Sequence, residues 1–267
     1  MPQVSSHTTN PPVILWKGKL KKAGAITAIA AIYIWAARGI GFNLFEIIRE
    51  LPQFFSLLGE MIPPNWGYTA RVFPALLETV QIAVLATLVG SILAFPLTLF
   101  SANNINTNTP LYFLAKGFMN FIRTIPELLY ASILVAGIGL GAFSGMLALT
   151  IFSTAVIAKL ASESLEAIDH GPIEALQAVG ANKLEVIRFA VVPQMLSFYA
   201  SYTLYVFEIN IRASTVLGLV GAGGVGVLLR TSLDLFRYAN AATTILITFV
   251  FVMIIDYTST RMRERLT

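Results

Sequence analysis

At 267 residues, with 56% hydrophobic and 12% charged side chains and a mean hydropathy of +0.75, the sequence excludes an ordinary soluble enzyme. It has no cysteine, which rules out a disulfide framework, a thiolate metal site and a cysteine nucleophile, and its two histidines, His7 and His170, cannot build a metal centre. The excess of 18 basic over 14 acidic side chains, a formal +4, suits the cytoplasmic flanks of a membrane protein rather than a nucleic-acid partner.

A helical span needs about 20 apolar residues to cross about 30 Å of hydrocarbon. Helices are the default because lipid cannot satisfy open backbone groups. In chain order, the apolar runs predict six spans, over about residues 20–40, 72–100, 117–137, 145–166, 190–210 and 239–257. The first follows Lys17, Lys19, Lys21 and Lys22. It reads as an uncleaved anchor, because Trp35 occupies the outer small-residue position before Ala37 and Arg38, with a cleaved signal peptide as the alternative. Residues 43–59 then show helical apolar spacing at Phe45, Ile48, Leu51, Phe55 and Leu58, with a kink expected at Pro52, and predict an amphipathic helix on the outer face. Trp66 and Tyr68 fit an interfacial belt. Turn formers from Ser101 to Pro110 end the second span, and the glycine-rich stretch from Gly137 to Gly145 separates the third from the fourth.

Six spans place both termini on one side. Lys116, Lys159, Lys183, Arg261, Arg263 and Arg265 share that side with the N-terminal lysines, so the positive-inside rule makes it cytoplasmic. Arg38, Arg49, Arg71, Arg230 and Arg237 fall in outer loops. The expected class is an all-α, polytopic membrane protein with both termini cytoplasmic. Its divisions are a cytoplasmic tail over 1–19, a first span with an amphipathic outer loop over 20–71, a membrane core over 72–260, and a basic cytoplasmic tail over 261–267.

The longest polar cytoplasmic connection lies at 168–194. Pro172 suits a helix first turn, Glu174 complements its positive end, and Gly180 can take the left-handed conformation that stops it. Asn182 and Glu185 stand at capping-box spacing for the next helix. Ile173, Leu176 and Val179 predict an apolar ridge that enters a groove on another protein; an ordinary helical hairpin is the alternative.

Glu174-Ala175, Gly180 and Pro193 stand at the spacing of a motif found in bacterial ABC importer permeases: E-A-A, three residues, Gly, then a distal Pro. Leu176 replaces the third small residue, and Ala190 and Val192 replace the usual Ile and Leu. Arg123 to Leu128 and Ile211 to Gly226 resemble the phosphonate-importer branch. The resemblance implies that this loop is a coupling helix, with Ile173, Glu174, Ala175, Leu176, Val179 and Gly180 meeting an ATPase. It also implies a second permease copy, two cytoplasmic ATPase subunits that hold ATP and Mg, and a periplasmic or lipid-anchored binding protein. No cofactor and no metal are then expected in this chain, whose non-protein surroundings are membrane lipid. A methionine-type importer permease is the nearest alternative, and a self-sufficient secondary carrier the alternative of another class.

Gly221, Gly223 and Gly226 match G-x-G-x-x-G, but Asp234 comes too early and Asp256 too late for a dinucleotide site. Close packing of a re-entrant segment competes with backbone contact to an anion at Gly221, Gly223 and Gly224. Charges inside spans are costly and point to function. Arg123 and Glu127, four residues apart, are expected to pair on one helix face. Arg212, expected just beyond the fifth span, is read either as an oxyanion donor along a pathway with Ser214 and Thr215 or as a counterion for Glu208.

Overall fold

The computed structural model describes residues 15–106 and 108–265, and every element over them is helical. Most of the expected N-terminal tail, including His7, lies outside the described residues, as does the end of the C-terminal tail. The chain divides into two compact units, one ending at Leu57 and the other beginning at Leu58.

The first unit holds α1 (Leu15–Gly39) and most of α2 (Leu44–Glu60), which meet at 53°. Asn43 starts α2 by accepting a hydrogen bond from the Phe45 amide at 3.0 Å. The helix continues through Pro52 and buries none of its residues, leaving the apolar stripe of Phe45, Ile48, Leu51, Phe55 and Leu58 exposed.

The second unit opens with a short turn at Trp66–Tyr68 and α3 (Thr69–Ser101). The boundary precedes residue 71 because this turn belongs to the core: Asn65 donates to Asn240 at 2.8 Å, and Tyr68 packs beside Val72 and Leu76. The expected third span is broken. It comprises α4 (Thr109–Thr124) and α5 (Glu127–Ile138), inclined at 85°. Pro126 explains the break, because it offers no N–H and pushes the preceding residue out of helical space; Ile125 is extended, with φ −90° and ψ 124°. Glycines 139 and 141 then turn the chain into α6 (Ala142–Leu165), as the glycine-rich stretch leads one to expect.

After α7 (Gly171–Ala178), the four-residue α8 (Lys183–Val186) leads through a wider turn at Ile187–Val191 into α9 (Val192–Leu217). A tight turn at Gly218–Val220 precedes α10 (Val225–Asp234), and α11 (Tyr238–Arg263) completes the fold. Both α9 and α11 outrun their expected ends. The run from Ile211 to Leu217 holds no Gly or Pro, so α9 continues past Asn210 until Gly218, and Arg261 and Arg263 belong to the last turn of α11 rather than to a free tail. Among the described residues four helical segments can by length and composition cross a membrane alone, and up to six spans result if each bent pair counts as one.

The core is built where α3, α6 and α9 cross. At Gly90 a Cβ would lie 2.7 Å from the Cβ of Ser153, so the missing side chain is what lets α3 approach α6. Fully buried Asn210 of α9 ties all three together, donating to the Thr87 hydroxyl at 2.8 Å and the Ser153 hydroxyl at 2.7 Å. One end of the bundle is closed by Ala102, Ile105, Leu165, Val186, Val191 and Met195, and α7 rests on it.

Candidate coupling loop and membrane charge network

Local hydrogen bonding makes the α7 loop a rigid protrusion. The Asp169 carboxylate accepts from the Gly171 amide at 2.9 Å, and Pro172 occupies the first turn, where a missing N–H costs nothing. At the other end Gly180 has φ +87°, and the Ala181 amide reaches back to the Leu176 carbonyl at 3.0 Å, a bond that only a left-handed residue permits. Asn182 then caps α8: its side chain accepts from Leu184 and Glu185 at 3.0 Å, and Glu185 accepts from the Asn182 amide at 2.7 Å. The expected stops and caps are all present.

The expected ridge is divided between two faces. Ile173 is 6% exposed and packs into the bundle end with partly buried Leu176, whereas Val179 is 81% exposed. Eight residues span about two turns, so three-residue spacing along α7 drifts round the helix instead of holding one face. The outward surface is Glu174, Ala175, Ala178 and Val179, with Gly180 at its end.

The glycine segment is backbone packing. Gly221, Gly223 and Gly224 have φ of +88°, +85° and +74°. A Cβ on Gly226 would lie 2.0 Å from the Thr215 carbonyl oxygen, and one on Gly224 would lie 2.6 Å from the Thr79 hydroxyl. The Val225 amide, the kind of donor that an anion would need, already donates to Thr79 at 2.9 Å. A helix and a tight turn, not a strand, precede these glycines, so the dinucleotide reading has no structural basis here. Ser214 is buried, and Thr215 bonds the Ile211 carbonyl at 3.2 Å. Arg212, set inside α9 rather than beyond it, is the exposed polar group of the segment.

Arg123 and Glu127 do not pair. They belong to α4 and α5, on either side of the Pro126 break, and no ion pair joins them among the described residues. Glu208 does pair with Arg212, at 2.6 Å, and two residues of α11 join them: Arg263, expected in a basic tail, meets Glu208 at 2.7 Å, and Asp256 lies 3.6 Å from Arg212. The missed signal is spacing. Asp256 and Arg263 stand seven apart, on one face of a helix that continues to residue 263.

These features define the class: a multi-pass helical membrane core with a rigid loop protruding from one end. A family model described as "Binding-protein-dependent transport system inner membrane component" matches residues 86–266, and the chain belongs to that family of ABC importer permeases. It is therefore a transport subunit rather than an enzyme, and its family works with ATPase and binding-protein partners. A phosphite transport system permease protein of Stutzerimonas stutzeri is 31% identical over 92% of this chain and 90% of its own. A phosphate-import permease protein of Mycolicibacterium smegmatis is 38% identical over 77% of this chain, which spans 39% of that relative. Among solved structures, an inward-facing MetNI methionine ABC transporter matches with a TM-score of 0.65 at 20% identity, covering 76% of this chain and 99% of that one.

Proposed function

We propose that this permease imports a phosphonate or a related phosphorus oxyanion such as phosphite, with two copies enclosing the pathway. Two ATPase subunits, which hold ATP and Mg, engage α7 on the cytoplasmic side, and a binding protein delivers the solute from outside. The observation that supports coupling is the pairing of a capped, rigid α7 with an outward face free of this chain's own core. A lever must transmit displacement, and a helix pinned by Ile173 at the bundle end moves with the bundle. The similarity to phosphite and phosphate permeases supports the solute class. In this reading ATP binding turns the bundle outward to receive the anion, and hydrolysis resets it.

Orientation is tested by labelling, made simple by the absence of native cysteines. In intact cells an impermeant thiol reagent should label Ser56→Cys and spare Asn182→Cys until the membrane is permeabilised. Labelling of Asn182→Cys from outside would place the α7 loop on the wrong face for an ATPase and overturn the coupling role.

A further inference from the structure

The charge network on α9 and α11 contains one more carboxylate than a structural clamp needs. Glu208, with a side chain only 10% exposed, uses one oxygen for Arg212 and the other for Arg263, so its charge is compensated twice at hydrogen-bond distance. Asp256 reaches only the second terminal nitrogen of Arg212, at 3.6 Å, beyond a good hydrogen bond. Its other oxygen, Oδ1, is buried without a hydrogen-bond partner. The Arg212 side chain is 49% exposed and that of Asp256 34%. Arg212 is thus held firmly on one edge and loosely on the other.

Depth gives this arrangement its meaning. Asp256 lies about 27 Å along α11 from Tyr238, at 1.5 Å per residue. Asn210, half a turn from Arg212, contacts Thr87, which is about 27 Å along α3 from Thr69. Ser153, the other partner of Asn210, stands about 16 Å along α6 from Ala142. Asn210 and the neighbouring Arg212 therefore lie level with the middle of α6, where a half-exposed guanidinium facing lipid is too costly to keep, while Asp256 and Arg263 occupy the last turns of α11. Tyr205 and Val216 extend the same exposed stripe of α9 on either side of Arg212, the face from which an anion would have to arrive.

We infer that Arg212 and Asp256 form an anion-exchange site: a phosphorus oxyanion in transit takes the place of Asp256 on the outer edge of Arg212, while Arg263 keeps Glu208 neutralised. The inference rests on the oxyanion reading above. Among the described residues two guanidinium groups face two carboxylates in this network, and an entering anion adds negative charge. Asp256 therefore admits the anion and then competes for its place, which keeps the stay short. The guanidinium edge suits a tetrahedral oxyanion, which accepts paired hydrogen bonds from it.

The test uses the full complex in liposomes with its ATPase and binding protein, phosphite as the probe anion, and Val216→Cys or Tyr205→Cys as reporter. Replacing Asp256 by Asn should raise the rate of a negatively charged thiol reagent at the reporter about tenfold through the local field. Phosphite should then protect the reporter at lower concentration. Arg212→Gln should slow the charged reagent, abolish phosphite protection and cut phosphite uptake at least tenfold, while a neutral reagent reacts equally in all backgrounds. Equal charged-reagent rates in all backgrounds with no protection overturn the exchange site. Reporters that react in the isolated chain but not in the complex also overturn it, and assign the face to contact between copies. If the unsubstituted complex carries neither phosphite nor methylphosphonate, the oxyanion reading itself has failed.

Discussion

Val179→Asp should reduce ATP-driven uptake at least tenfold and release the ATPase on purification, while leaving the folded yield and thermal stability of the permease unchanged. The side chain is 81% exposed, so its charge stays solvated and costs the isolated chain less than about 1 kcal/mol at the C-terminal end of α7. Against an apolar surface of a partner, an unpaired carboxylate costs several kcal/mol of desolvation, and each 1.4 kcal/mol is about tenfold in affinity. Ile173→Asp is the contrasting variant. Ile173 is 6% exposed against Val191 and Met195, so a charge there should lower the yield of folded protein before any question of coupling arises. Uptake and ATPase retention at unchanged stability are the readouts; a Val179→Asp protein that transports normally removes α7 from the contact.

Gly226→Ala should destabilise the bundle by about 1–3 kcal/mol or more, seen as a lowered melting temperature in detergent and poor recovery of the complex. The added Cβ would stand 2.0 Å from the Thr215 carbonyl oxygen and 2.8 Å from the Cα of Gly218. Both are backbone atoms and cannot swing aside, so α9 and α10 must separate. Gly117→Ala is the control, because a Cβ there meets nothing within 4 Å. A Gly226→Ala protein as stable as the control would show that the α9–α10 packing is not limiting.

Local signals were the most legible part of the chain. Pro172, Gly180, Asn182 and Glu185 each act within a few residues of their own backbone, through caps and a left-handed stop. Their roles could therefore be read without knowing what packs around them. Pro126 carried an equally local signal, but hydropathy averages over a window, and an apolar run of span length concealed the break between α4 and α5. The facing of Ile173 and Val179 was hidden for another reason: on a two-turn helix, the buried side is decided by Ala102, Leu165 and Val191, which are distant in sequence. The network of Glu208, Arg212, Asp256 and Arg263 likewise depends on where α9 crosses α11. From sequence, only the pair four residues apart within α9 was visible.

Uptake by the reconstituted system measures the central claim most directly. Proteoliposomes containing this permease, its ATPase and the loaded binding protein should accumulate labelled phosphite or methylphosphonate only with ATP in the ATPase compartment, and should accumulate none when the ATPase is omitted. Accumulation at the same rate without ATPase or nucleotide would make the chain a self-sufficient carrier and contradict the account.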